Sequence, residues 1–194
     1  MYRFLKSGYK RSVLNIMIDI ETLRYPIGKY SGGDFSVEEI KVSITDISDA
    51  PAHLRNAITG LSDDQLDAPY RDEGWTVRQV VHHLLDSQLN SYIRFKWTLT
   101  EDEPLIKTYK QDEWANIPDS KTVPVSLSLQ MLESLHEIWV ILLKSLSEDQ
   151  LNRKFEHPEM KRSFNLKWLI GLYAWHGKHH AAQITGLRDR MSWW

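Results

Sequence analysis

Asn165-Leu-Lys-Trp-Leu-Ile-Gly-Leu-Tyr-Ala-Trp-His-Gly-Lys-His-His-Ala-Ala-Gln-Ile-Thr-Gly-Leu187 is the stretch whose reading decides the fold. Its apolar residues Trp168, Leu169, Leu172, Tyr173, Ile184 and Leu187 recur mostly at three- and four-residue intervals, the period of a helix that buries one face. His176 and His180 stand four residues apart on that face, so both imidazoles point inward and can converge on one ion. Two imidazoles on an inward face repel if charged and need partners if neutral. His179 lies about 100° round the helix from His180 and is expected at a helix boundary or on the surface. Lys178 is expected to be exposed.

Working outward, three more segments carry the same period. One runs from about Ser36, an N-cap with Glu39 three residues on, to Gly60, and Pro51 is expected to kink or split it. Another runs from about Thr76 to Thr100, and a third from about Val125 to Leu146. Strand-like alternation is nearly absent. The expected fold class is all-α, a four-helix bundle.

Leu61-Ser-Asp-Asp-Gln-Leu66 and Leu146-Ser-Glu-Asp-Gln-Leu151 each close one helix and precede a histidine-bearing one. This echo predicts two pseudo-symmetric helix pairs, with the second and fourth helices side by side at the centre. A long crossover, Glu101 to Pro124, joins the halves. Connections of this length in a compact domain are often functional, and its Tyr109 and Trp114 suggest a lid across one end of the bundle.

Residues 1–24 read as an N-terminal extension to a domain covering 25–194. Either Met17 is the true start and residues 1–16 are not native, or a packed N-terminal helix precedes the bundle. At 194 residues the chain suffices for one domain. Without cysteine it has no thiolate nucleophile, Cys-rich zinc site or iron–sulfur cluster of its own. A net charge of -2 offers no basic field for nucleic acid, and no segment reads as a signal or membrane span. A cytoplasmic protein is expected.

A third histidine comes from His82-His83 in the second helix. His83 is followed by Asp86, Asn90 and Arg94 at three, seven and eleven residues. Periodicity leaves two readings of that polar stripe, one lining the bundle interior and the other an ordinary solvated face. Three neutral imidazoles from two helices would leave a tetrahedral metal one open position. The His-Glu-x-x-His metalloprotease signature is absent, as are a Gly-rich phosphate loop and Gly-x-Ser-x-Gly.

Gly74-Trp75-Thr76-Val77-Arg78-Gln79-Val80-Val81-His82-His83-Leu84, the preceding Tyr70-Arg71-Asp72 and Trp175-His176-x-x-x-His180 together resemble the DinB/YfiT-like superfamily of bacterial metal-dependent four-helix bundles. Tyr25-Pro26-Ile27-Gly28 and Asn90-Ser91-Tyr92-Ile93-Arg94-Phe95-Lys96 are similar to the YfiT branch, and the resemblance covers about Tyr25 to Trp194. It implies metal ligands at His83, His176 and His180, zinc as the metal with nickel or manganese in some members, and a homodimer. Members are described as metal-dependent hydrolases or as S-transferases using the thiol bacillithiol. Relatives often carry further histidines around the second cluster, whereas here Gln183 stands three residues after His180.

The expected activity is therefore zinc-dependent hydrolysis, or transfer of bacillithiol to small electrophiles. In the latter a diffusible thiol stands in for the missing cysteine. Asp86, Asn90 and Gln183 are candidates for orienting the imidazoles or the substrate, and Arg94 for meeting a carboxylate on the thiol. The competing expectation is a non-catalytic, metal-stabilised binding or stress-response bundle.

Overall fold

Ser36, Ser62, Thr76 and Ser147 each accept a hydrogen bond from the backbone N–H three residues on, while Glu39, Gln65, Gln79 and Gln150 accept from the capping residue's own N–H. These capping boxes satisfy donors that a helix start would otherwise leave unpaired, so they set where the helices begin. In the computed structural model, which describes residues 19–194, the chain runs through α1 (Ile20–Arg24), α2 (Val37–Ile58), α3 (Asp63–Leu66) and α4 (Val77–Thr100). It continues through α5 (Gln111–Ala115), α6 (Asp119–Thr122), α7 (Val125–Ser145) and α8 (Glu148–Leu151). It ends with β1 (Lys154–His157), β2 (Arg162–Asn165) and α9 (Leu166–Met191). The expectation that residues 1–16 are not native lies outside the described residues. No helix among the described residues is long and apolar enough to cross a membrane.

The four long helices form the bundle. α2 packs chiefly on α9 and α7, and α4 on α7 and α9, so the ring order is α2–α9–α4–α7. The second and fourth helices are neighbours, as the internal echo implies. Helices consecutive in the chain, α2 with α4 and α7 with α9, stand diagonally, and the two halves interlock. The echo itself folds twice into the same turn. α3 and α8 carry matching capping boxes, and the second residue of the following long helix reaches back to each. Arg78 pairs with Asp63 at 3.0 Å and Asp67 at 2.6 Å, and Lys167 with Glu148 at 2.5 Å.

Pro51 does not split its helix, which runs unbroken from Val37 to Ile58. Proline withholds the N–H that the Ile47 carbonyl would receive. Buried His136 of α7 supplies the substitute, its Nδ1–H donating to that carbonyl at 2.6 Å. One element escaped the sequence reading, the antiparallel hairpin β1–β2. Its strands are four residues long, too short for a period of two to stand out, and only Phe155 and Phe164, directly paired, turn into the core. The crossover is tied down along its length. Ile106 N–H donates to Glu156 C=O, Glu156 N–H to Pro104 C=O, and the Gln79 amide to Ala115 C=O.

Apolar packing divides into two clusters along the bundle. One gathers Ile40, Ile44, Ile47, Phe95, Trp139, Leu143, Leu169 and Tyr173. The other gathers Leu54, Val77, Val80, Val81, Leu84, Leu129, Leu132, Ile184 and Leu187. Each long helix contributes to both. Between them lies a buried polar belt that includes His83, Ser87, Gln88, Ser91, His136, His179, His180 and Gln183. Gly177 belongs to this belt and lets α9 approach α2, since a Cβ there would meet the Ala50 Cβ at 2.9 Å. A histidine cluster is in the belt.

Candidate metal centre

The helical period places His176 and His180 on the belt face of α9, and α4 brings His83 to meet them. Each offers one ring nitrogen, and these nitrogens all lie within 4.8 Å of one another. Trp75 packs its ring on His83 at 4.6 Å between centroids. Burial holds all three imidazoles well below the ordinary histidine pKa, and their mutual repulsion lowers them further. They are therefore neutral at pH 7, the form that ligates metal.

Hydrogen bonding assigns the orientation of one ring outright. The Gln183 amide lies 2.9 Å from the Arg24 carbonyl, an acceptor only, so its nitrogen must face that way. Its Oε1 then faces His180 Nδ1 at 2.8 Å and accepts that N–H. His180 is left with a lone pair on Nε2, aimed into the cluster. His176 Nε2 is 3.2 Å away. Two histidines bound at about 2.1 Å to one tetrahedral ion hold their nitrogens about 3.4 Å apart. The pair is thus spaced for a shared cation, and these donors fit a divalent metal.

His179 departs from expectation. It is 5% exposed and sits mid-helix, its ring stacked on Trp175 at 4.4 Å and its Nε2 accepting from the Gln183 amide at 3.0 Å. Burial pushes it down to about 4. The reason is the Tyr25–Gly28 turn, which packs over this side of α9. Trp175 Nε1–H donates to Gly28 C=O at 3.2 Å, and the Tyr25 ring lies 5.7 Å from His179. A face that α9 alone would expose is covered by the N-terminal segment. Trp175, His179 and Gln183 follow one another at four-residue spacing, the signal that could have revealed this second inward stripe.

Two cavities adjoin the cluster. One of about 270 Å³ is bounded by Tyr25, Tyr70, Arg71 and the two tryptophans Trp75 and Trp175, and all three clustered histidines line it. A second, of about 600 Å³, is bounded by Ser87, Arg94, Tyr109, His157 and Tyr173, and shares His176, Gln111 and Asp112 with the first. Gln111 and Asp112 belong to the crossover, which therefore walls the site.

Of the expected accessory residues, only Gln183 touches a clustered histidine by hydrogen bond. Arg94 lines the second cavity. Asp86 and Asn90 line neither. Asp86 is half-buried, and burial and then the charge of Asp119 push it up to about 6. Asn90 Nδ2 donates to the Asp86 carbonyl within α4. Seven residues advance a helix by about 10 Å, so Asn90 shares a face with His83 but stands too far along the axis to reach it. His82 points away from the cluster, its ring nitrogens at 2.7 Å from Ser128 Oγ and 3.1 Å from Val123 C=O. That leaves His83 as the histidine of the pair that joins the site.

Fold and site together define a four-helix bundle with a buried three-histidine centre in a polar belt. The DinB superfamily profile matches residues 46–184, and the chain belongs to that superfamily. A protein of Bacillus mycoides strain KBAB4 is 53% identical over 175 residues, covering 90% of this chain and all of its own length. One of Bacillus cereus strain 03BB102 is 55% identical over 172 residues, covering 88% of this chain and 98% of its own. Both bear names that propose a metal-dependent hydrolase. The solved structure of YfiT from Bacillus subtilis superposes with a TM-score of 0.88 at 48% identity, over 89% of this chain and 99% of that one. It is described as a proposed metal-dependent hydrolase with an unusual four-helix bundle topology.

Proposed function

We propose that this protein is a metal-dependent enzyme in which His83, His176 and His180 hold a divalent cation, zinc in the first instance and nickel or manganese as alternatives. The observation that carries the reading is the approach of the His176 and His180 Nε2 atoms to 3.2 Å with the His180 lone pair directed into the cluster. With three protein donors, such a cation keeps a position open to lower the pKa of a bound water or thiol and to polarise an electrophile.

The protein's own groups do the rest. Gln183 holds the His180 tautomer and ring orientation. Burial keeps the three imidazoles unprotonated. Trp75, Trp175, Tyr25 and Tyr70 line the smaller cavity beside the histidines, and their rings support stacking against one face of a reactant. Between hydrolysis and thiol transfer, transfer of bacillithiol to a small electrophile fits the two-cavity layout better, one cavity for each reactant. The absence of cysteine from the chain requires that the sulfur come from outside.

A cytoplasmic setting and a homodimer accompany this reading. Exposed Leu127, Met131, Ile138 and Ile141 fall along one face of α7, which supports a self-association surface. The direct test is the zinc form incubated with an electrophile, with and without bacillithiol. Loss of electrophile that depends on the thiol supports transferase chemistry. Loss at the same rate without thiol assigns hydrolysis instead, and no loss in either case contradicts the enzyme reading.

A further inference from the structure

Arg94 is the feature of the belt that the metal centre does not use. It is 8% exposed and lines the larger cavity. A guanidinium stays charged in any protein environment, and burying it is costly unless its donors are satisfied. Here Nη2–H reaches the Lys107 carbonyl at 3.3 Å, while Nε–H is buried with no partner among the described residues. Nor does any described carboxylate pair with it. Asp112, Glu113 and Glu159 line the same cavity, but all three are exposed at its mouth.

The neighbouring groups are suited to a small acid. Ser87 and Tyr173 are both buried, and the Ser87 hydroxyl donates to Tyr173 Oη at 3.4 Å. Tyr109 from the crossover closes the wall. Burial and then the charge of Arg94 hold the neighbouring His157 below its ordinary pKa. Three acids at the mouth disfavour a dianionic phosphate, whereas one carboxylate matches one guanidinium fork. The shared His176 connects this cavity to the metal centre.

We propose that the larger cavity is a carboxylate subsite, in which Arg94 seats the acid group of a small molecule whose reacting end lies at His83, His176 and His180. This rests on the metal-enzyme reading above and adds the substrate class to it. The carboxylate belongs either to the thiol or to the electrophile, and two arms of one experiment separate these sources. In the first, the zinc-loaded full chain is titrated calorimetrically with N-acetylcysteine and with N-acetylcysteamine, thiols that differ by a carboxylate. In the second, turnover of 4-nitrophenyl hydrogen succinate is compared with that of 4-nitrophenyl acetate.

Hydrogen bonds to a buried charge correspond to a preference of about tenfold or more. That preference for the acid is expected in at least one arm, and the arm names the reactant that carries it. Arg94→Gln should abolish the preference for the acid over the neutral compound, and Arg94→Lys should restore part of it. Equal behaviour of acid and neutral compounds in both arms overturns the subsite, and this comparison in wild type needs no variant to fold. A preference that survives in Arg94→Gln overturns it too. The neutral ester reports on the metal centre alone, so a failure there is distinguishable from a failure at Arg94.

Discussion

Gln183→Leu is the sharpest perturbation of the site, because one buried amide serves two histidines and a backbone carbonyl. Gln183 is 4% exposed, and its amide partners are His180 Nδ1 at 2.8 Å, Arg24 C=O at 2.9 Å and His179 Nε2 at 3.0 Å. Leucine is of similar size and leaves all three without that partner. A buried polar group stripped of its partner costs about 1–3 kcal/mol. Both histidines remain buried, so the metal-free protein should lose about 2–5 kcal/mol of stability.

Metal affinity should fall separately. The His180 ring is no longer held in one tautomer, and removing such a partner typically costs about 10- to 100-fold, or 1.4–2.7 kcal/mol. Competition against a chromophoric chelator measures the affinity, and urea unfolding of the metal-free form measures the stability. Gln183→Glu separates the two effects. A carboxylate still accepts from His180 Nδ1 but cannot donate to Arg24 or His179, so affinity is largely kept while stability drops. Wild-type affinity within threefold in Gln183→Leu would refute the argument that this amide orients the ligand.

His136→Phe should destabilise the fold by about 1–3 kcal/mol by orphaning the Ile47 carbonyl; adding Pro51→Ala returns a backbone donor, so a double-mutant cycle in urea should show positive coupling. Metal-free protein should weaken in acid. His136 and His179 are each depressed to about 4 by burial, so the unfolded state takes up their protons first. Both are neutral in either state above about pH 6.5, and stability falls as pH drops from there toward 4, by roughly 1.4 kcal/mol per unit for each histidine that stays neutral in the fold. Thermal melts across that range, with His136→Phe showing a shallower slope, check the sign. Gly177→Ala places a Cβ 2.9 Å from that of Ala50 and should cost about 1–3 kcal/mol through overpacking, net of a small helix-propensity gain; an unchanged melting temperature would contradict the close α2–α9 approach.

Much of this molecule was legible in its sequence because a long helix repeats its signal many times. The apolar residues of the four long helices, the Ser36 and Thr76 caps and the doubled Leu-Ser-x-Asp-Gln-Leu turn agree with one another, and they specify the bundle and its pseudo-symmetry. His176 and His180 were legible for the same reason, since one face of one helix fixes both. What escaped depended on partners distant in the chain. The hairpin around Phe155 and Phe164 is too short to show a period. Pro51 reads as a helix breaker until His136, from another helix, is seen to answer the freed carbonyl. His179 reads as a surface residue until the Tyr25–Gly28 turn covers it. Asp86 and Asn90 share the stripe of His83 and Arg94 on a helical wheel, but a wheel discards distance along the axis, which puts Asn90 out of reach of His83, and Asp86, although only three residues on, lines neither cavity.

Metal content by mass spectrometry, on protein purified without an affinity tag, tests the central claim most directly when wild type is compared with His83→Ala, His176→Ala and His180→Ala. One equivalent of a divalent metal in wild type, lost or weakened by at least a hundredfold in each variant while circular dichroism keeps the helical signal, is the expected result. A full equivalent retained with unchanged affinity in His83→Ala would contradict it, because the α4 imidazole would then have no part in holding the ion.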